Sequence, residues 1–304
     1  MNTPVVFLIY NRPEITRRAF AAIRAQRPRT LIVIADGPRD AADAGRCAAA
    51  RSVVDLVDWP CDLQTDFAPQ NLGCALRIAS GVTSVLAKHE AAIFIEDDCL
   101  ADGSFFRLAE ELLERYAADA RVAAITGANF QFDRSASDSY YFSRYPIPWG
   151  WATWARAWSH YDRDMTAWPG LKASRWLLDF FEGDAKAAHH WEAAFDRAYR
   201  KEIDTWDFAW FFACWRNGML STVPSRNLVT NFGFSRDATH TARRASALAE
   251  IAVDPVKFPL RHPDDVRRDA RADRIVQKFV FEHQSLLWLR RGLAGLRDLF
   301  SART

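Results

Sequence analysis

Three consecutive carboxylates, Glu96-Asp97-Asp98, follow directly on the apolar run Ala92–Ile95. In open α/β sheets, ligands bind beyond the carboxyl ends of the strands. A strand ending at residue 95 therefore delivers three acids to the place where a ligand sits. Neighbouring carboxylates repel one another unless a cation or hydrogen-bond donors offset their charge. A hard divalent ion such as Mg²⁺ or Mn²⁺ is suited to this, because it takes oxygen ligands and commonly shares one or two carboxylates with substrate phosphates. The plainer alternative is a solvated loop whose acids cap the next helix, a task for which Asp102 and Ser104 also qualify. Asp207 is the other carboxylate in an unusual setting. It lies in Trp206-Asp207-Phe208-Ala209-Trp210-Phe211-Phe212, an apolar surrounding that raises a carboxyl pKa, although the same position would serve as a helix N-cap. His189-His190 is a tempting pair, but adjacent helical positions point in different directions, so it reads as surface.

The elements that must position these groups alternate through the first third of the chain. Val5–Tyr10 is a solid apolar run, as expected of a strand buried on both faces of a parallel sheet. Pro13 opens a helix to about Gln26, with Ile15, Ala19 and Ile23 on one face. Leu31–Ala35 is a second strand, stopped by the turn signal Asp36-Gly37-Pro38. Ala41–Ser52 reads as helix and Val53–Val57 as a weaker strand. Asn71-Leu72-Gly73 precedes a helix from Cys74 to Lys88, Ala92–Ile95 is the strand that ends in the acids, Ser104–Tyr116 is a helix and Val122–Thr126 a strand. Repeated β-α-β with short connections predicts an α/β fold with a mostly parallel, doubly wound sheet. Beyond residue 130 the pattern changes. Tyr140 to Trp158 is crowded with aromatics, and Trp176–Phe181, Trp191–Arg200 and Trp206–Asn217 read as helices. Residues 219 to 260 are loop-rich with a short strand at Leu228–Asn231, and Arg274–Phe300 reads as one or two amphipathic helices. The division is residues 1–130 as one half, 131–260 as an aromatic-rich helical half, and 261–304 as a helical tail.

Composition narrows the classes further. The 304 residues are 49% hydrophobic and 26% charged, enough apolar content for a sizeable core and too much for a disordered chain. Forty Lys and Arg stand against 38 Asp and Glu, a balance that gives no reason to expect a nucleic-acid partner. Five cysteines, with no C-x-x-C pair, argue against a disulfide framework and a structural zinc site. Met1 to Tyr10 lacks a basic leader and does not read as a signal peptide, and no apolar run is long enough to span a membrane. These features predict a soluble, cytoplasmic protein. Ten of the 12 tryptophans fall between Trp149 and Trp215, so the aromatic half needs its own explanation.

The strand followed by Glu-Asp-Asp resembles the acidic motif of nucleotide-sugar glycosyltransferases with the GT-A fold. Tyr10-Asn11-Arg12-Pro13 after the first strand, Ala35-Asp36-Gly37 after the second and Asn71-Leu72-Gly73 before the helix leading to the acids resemble the same family in the same order. Pro148-Trp149-Gly150-Trp151-Ala152-Thr153-Trp154, Thr205-Trp206-Asp207 and Asn231-Phe232-Gly233 resemble bacterial glycosyltransferase-2-like proteins. More distantly, the chain is similar to N-acetylglucosaminyltransferase I. The likeness covers roughly residues 4 to 240.

The resemblance implies a GT-A-like fold and roles for individual residues. Asp98 would be the direct ligand of Mn²⁺ or Mg²⁺, and His240, on a loop that closes over the diphosphate, a second residue for the metal or phosphate. Asp97 would face the ribose, Glu96 would support the site, and Asp36 would accept from the base. Arg12 would sit near the ribose or diphosphate, where a planar guanidinium suits phosphate oxygens, with Asn11, Asn71 and Arg77 as neighbours of the nucleotide. Asp207 would be the base of an inverting enzyme. The expected activity is transfer of a hexosyl or N-acetylhexosaminyl group from a nucleotide-diphospho-sugar, a UDP-sugar foremost, to a glycan or lipid-linked acceptor in polysaccharide biosynthesis. The alternatives are a sugar-nucleotidyltransferase of related fold and an inactive carbohydrate-binding relative. Sugar rings lay apolar C–H faces on aromatic planes, and an indole keeps one donor for a hydroxyl. Trp149, Trp151 and Trp206 are accordingly expected to wall the sugar pocket. In the tail, Leu286, Leu289, Leu293, Leu296 and Phe300 with nearby Arg290, Arg291 and Arg297 would suit either packing on the body or a peripheral membrane contact.

Overall fold

The apolar run at the start of the chain is buried at every position, Val5–Ile9, and forms β1 at the centre of an eight-stranded sheet. The structure, a computed structural model, describes residues 1–131, 137–233 and 251–282. After β1 come β2 (Thr30–Ala35), β3 (Asp62–Phe67), β4 (Ala91–Glu96), β5 (Cys99–Ala101), β6 (Val122–Thr126), β7 (Tyr140–Ser143), β8 (Trp151–Trp154), β9 (Leu220–Pro224) and β10 (Val229–Asn231). The large sheet has the order β3-β2-β1-β4-β8-β6-β9-β7, and β5 and β10 form a separate antiparallel pair. β1 runs parallel to β2 and β4, with Val5 opposite Leu31 and Ile93, and β3 runs parallel to β2. β8 is reversed between β4 and β6, and β7 is reversed against β9, which itself runs parallel to β6. The mostly parallel α/β sheet is as expected, and its order is consistent with a GT-A-like fold.

Alternate residues of one strand enter opposite cores, which is why the strands read as continuous apolar runs rather than as alternations. Val6, Leu8, Ile32, Ile34 and Phe94 join one core, and Val5, Phe7, Ile9, Leu31, Val33, Ile93 and Ile95 the other. The helices that cover these faces are α1 (Pro13–Gln26), α2 (Ala41–Arg51), α3 (Cys74–Leu86), α4 (Gly103–Arg115), α5 (Ala155–Trp158), α6 (Trp168–Ala173), α7 (Trp176–Phe180), α8 (Ala185–Tyr199), α9 (Asp207–Arg216) and α10 (Ala270–Val276). Pro13 opens α1 as predicted, and Asp102 caps α4 by accepting from the Ser104 N–H at 2.8 Å.

One expectation for an element fails for an identifiable reason. Val53–Val57 is no strand, because Ser52–Leu56 is a tight 3₁₀ turn that continues α2. The strand in that region is β3, an edge strand with no fully buried residue, so it lacks an apolar run to announce it. Of the predicted tail, α10 and a π-helical segment Gln277–Glu282 are described, and residues 283–304 lie outside the described residues. Among the described residues, no helix is long and apolar enough to cross a membrane.

The tryptophan-rich half builds one aromatic core against the sheet. The Trp151 ring stacks on Phe94 of β4 (centroids 4.7 Å apart) and on Trp206 (5.1 Å), and Trp191 meets Trp215 edge-on at 4.5 Å. Trp151, Trp168, Trp191 and Trp210 are fully buried. Each such ring removes ~150–250 Å² from water, or on the order of 4–6 kcal/mol of gross burial energy before entropy is set against it.

Candidate functional site

The acidic strand places its carboxylates as the sequence predicts. β4 pairs with β1 through Leu8 opposite Glu96, and the Asp97 N–H then donates to the Leu8 carbonyl at 2.9 Å. That bond turns Asp97 back over the end of β1, where one of its oxygens accepts from the Tyr10 N–H at 3.1 Å. The guanidinium of Arg12, just ahead of α1, reaches Asp97 at 2.5 Å and Asp98 at 3.1 Å. Arg12 is thus the internal countercharge of the triplet. Burial lowers its pKa, but the Asp97 and Asp98 charges outweigh this and raise it. Three carboxylates against one guanidinium leave a surplus of negative charge. Burial first, and then the Asp98 and Asp97 charges, push the Glu96 carboxyl well above its ordinary range. Asn231-Phe232-Gly233 meets the triplet as well. The Phe232 N–H donates to the Asp98 carbonyl at 2.8 Å, and a Cβ on Gly233 would collide with the Asp98 carboxylate.

Asp36 stands at the end of β2 but does a different job from the one expected. Its Oδ1 accepts from the N–H groups of Gly37 (2.8 Å) and Leu72 (2.9 Å), and its Oδ2 from the Asn71 amide (2.9 Å) and the Gly73 N–H (3.1 Å). A carboxylate has about four lone-pair sites, so these donors fill it and leave none for a nucleobase. Asn71 is likewise turned inward, since its amide also donates to the Gly37 carbonyl at 3.1 Å. Arg77 is buried, donates to the carbonyls of Ala35 and Asp66, and pairs with the Asp66 carboxylate at 3.0 Å. Asn11 is displaced from its expected role. Its amide donates to Asp43 at 2.6 Å, and it does not line the cavity described below.

Asp207 opens α9. One of its oxygens accepts from the Thr205 hydroxyl and from the Phe208 N–H (2.9 Å), but the N-cap residue is Trp206 and no side chain caps the helix, so the helix-capping expectation for Asp207 is not met. Burial raises its pKa above the ordinary carboxylate value, and those two hydrogen bonds pull the other way. Burial first, then the charges of Glu96, Asp207, Asp204 and Asp98, push the Cys74 thiol far up. Glu96 and Asp204, from the two halves of the chain, line one cavity together with Cys74, the first residue of α3.

A cavity of about 230 Å³ opens here, lined by Tyr10, Arg12, Asp36, Asn71, Arg77, Glu96 and Asp97 among others, together with Cys74 and Asp204. Trp151 and Trp206 do not wall it. They are 1% and 3% exposed, stacked on each other, and the Trp151 indole N–H is buried with no acceptor, beyond reach of a sugar hydroxyl. Trp149 is only partly buried, with its ring edge-on to Phe130 at 5.3 Å, and it is not among the residues lining the cavity. His240 lies outside the described residues. Among the described residues no group of three or more His, Cys, Asp or Glu side chains forms a metal site. The donor set still fits a cation that needs only one or two carboxylates beside phosphate, because Asp98 is partly exposed and the local charge is in surplus.

Two carboxylates here escape a sequence reading. Asp43 accepts from Tyr10, Asn11 and Arg46 and fixes the loop that carries Arg12. Burial pushes its carboxyl up, but these hydrogen bonds hold it well below the usual range. Asp204 accepts from the N–H groups of Cys74 and Ala75. An aspartate next to a known helix start is a visible signal, whereas one 130 positions away is not.

No protein-family model matches the chain, and no curated protein does. Among solved structures it is similar to the galactosyltransferase LgtC in complex with donor and acceptor sugar analogs, at 10% identity over 72% of this chain and 73% of that one (TM-score 0.38). It is also similar to UDP-glucose pyrophosphorylase complexed with UDP-glucose, at 10% identity over 53% of this chain and 79% of that one (TM-score 0.32). A third is mannose-1-phosphate geranyltransferase from Thermus thermophilus, at 12% identity over 73% of each chain (TM-score 0.34). The strand order of the sheet, rather than these likenesses, carries the description of the fold.

Proposed function

We propose that this chain is a metal-dependent, inverting glycosyltransferase that moves a sugar from a nucleotide-diphospho-sugar, UDP-sugars foremost, to a hydroxyl of a glycan or lipid-linked acceptor. The observation that supports this is a cavity at one end of the sheet lined by Glu96 and Asp97 of the β4 acidic triplet and by Asp204, three residues ahead of Asp207. Asp98 would hold Mn²⁺ or Mg²⁺, which when bound supplies neutralisation of the charge that develops on a departing diphosphate. Arg12 holds Asp97 and Asp98 in place and lends them a fixed positive charge. The Asp36 turn shapes the wall on which a nucleotide would lie, and Asp97 remains the residue nearest a ribose in this scheme.

Asp207 then acts as the general base. It takes the proton of the acceptor hydroxyl as that oxygen forms its bond to the anomeric carbon, on the face opposite the nucleotide, and the sugar–phosphate bond breaks. A carboxyl pKa raised by burial brings the base closer to the operating pH and makes the ionised form a better proton acceptor. One base with a stabilised leaving group suffices for inversion. Calorimetry with UDP-, GDP- and dTDP-sugars, with and without Mn²⁺, tests the proposal. Metal-dependent binding of a nucleotide sugar is expected, and binding that is absent or indifferent to the metal would overturn it.

A further inference from the structure

Four consecutive backbone N–H groups, those of residues 72 to 75, point out of the turn that enters α3 without partners inside the helix. Two carboxylates from opposite halves of the chain share them. Leu72 and Gly73 donate to Asp36 at 2.9 and 3.1 Å, and Cys74 and Ala75 donate to Asp204 at 2.8 and 2.9 Å. The second pair is a long-range tether. Asp204 is exposed and sits three residues ahead of Asp207 in the loop that leads to α9. Gly73 makes the tether possible twice over. It holds φ at +83°, and a Cβ there would lie 2.7 Å from an Asp204 carboxylate oxygen. On the far side of the tether, Trp206 is buried under Trp151 and its carbonyl accepts from the Tyr161 hydroxyl at 3.3 Å.

The loop that delivers Asp207 is therefore fixed at two points, one polar and one aromatic. We infer that Asp204 is a positioning residue: by seating its carboxylate on the N-terminus of α3 it sets where Asp207 stands relative to the donor cavity. The positive end of the helix is used to hold the base-bearing loop, and the same carboxylate lines the donor cavity. Occupancy of that cavity and placement of the base thus share a residue. The catalytic consequence rests on the glycosyl-transfer reading above, but the tether does not.

The test compares Asp204→Ala and Asp204→Asn in the full chain by three readouts. The first is hydrogen exchange of segments 72–75 and 203–208, the second UDP affinity with Mn²⁺ by calorimetry, and the third hydrolysis of the nucleotide sugar that binds. For the alanine variant, exchange about tenfold faster in both segments is expected. The fall in kcat, ~10- to 100-fold, should exceed any loss of UDP affinity, which reports only the same carboxylate's place in the cavity wall. The asparagine variant keeps one of the two acceptor oxygens and should recover part of both effects. Wild-type kcat together with unchanged exchange at 203–208 in the alanine variant would overturn the inference. So would a uniform rise in exchange across the whole chain, which marks a purely structural role. If the wild-type protein binds no nucleotide, the functional reading falls, and exchange at 203–208 alone then decides for or against the tether.

Discussion

At the end of the sheet where β1 and β2 stop, position is set by hydrogen bonds that can be counted one by one. Asp36 accepts from four donors, and Asp43 gathers Tyr10, Asn11 and Arg46. Under Asp207 the opposite holds. Trp151, Trp158, Trp206 and Trp210 are held by ring-on-ring packing, and the indole N–H groups of Trp151 and Trp210 have no acceptor among the described residues. The first arrangement places individual atoms and answers to changes of a single atom. The second places a whole segment and answers to changes of volume. A transferase of the kind proposed needs both, since leaving-group contacts are polar and specific while the base must be held in a dry surrounding.

Five substitutions or conditions would break or sharpen this contrast, from the largest expected effect to the smallest. Asp207→Asn should lower turnover by ~10²- to 10⁴-fold while nucleotide affinity by calorimetry stays near wild type; full activity would remove Asp207 from the base role. In the wild-type enzyme the acidic limb of kcat should fall above the ordinary aspartate pKa of about 4, because turnover requires the ionised base and burial raises its pKa. Trp151→Ala should cost ~3–5 kcal/mol of stability in denaturant titration, as the cavity it opens lies against both Phe94 and Trp206. A cost under ~1 kcal/mol would mean that the ring is not buried as described. Asp36→Asn replaces one acceptor oxygen by a donor that faces other donors. It should cost ~1–3 kcal/mol, with nucleotide binding weakened in proportion as the 71–73 turn loosens, and unchanged binding would detach that turn from the site.

The smallest effect concerns acid. Asp43 has a depressed pKa in the folded state, so its contribution to stability is present above the unfolded value of about 4 and is lost as pH falls below it. The stability gap between wild type and Asp43→Asn should therefore be constant at neutral pH and shrink below about pH 4. A gap that does not change with pH would show that the carboxylate's charge plays no part there.

The fold was legible where burial leaves a pattern. Three strands that end at the site are unbroken apolar runs closed by Tyr10, Asp36 and Glu96, and a chain entering an α/β sheet has few other uses for such runs. β3 was not legible, because an edge strand with no fully buried residue carries no such pattern. The acidic triplet was legible because strand direction alone delivers it to the ligand edge. The division of labour among aspartates was not. Asp36 resembles a base-contacting residue by position, yet only the fold reveals that the 71–73 turn comes back to fill three of its acceptor sites, beside the Gly37 N–H on the fourth. Trp151 and Trp206 failed for a related reason, since one indole can be a sugar platform or a core ring and only its neighbours decide between them. Asp204 depends on a pairing across 130 positions, beyond any local spacing rule.

The reversed strand β8 also governs how this protein can be made. β6 has only β8 and β9 as neighbours in the sheet, and β4 is covered on one side by β8 alone. A ribosome that has delivered the first 130 residues has therefore built strands whose partners do not yet exist. Apolar strand edges left open in this way invite pairing with other chains. The first half of the chain thus waits, during synthesis, on residues 151–154 from the half that carries Asp207. Limited proteolysis of chains truncated at residue 130, compared with chains extended to residue 233, would show whether that wait is as costly as the strand order implies.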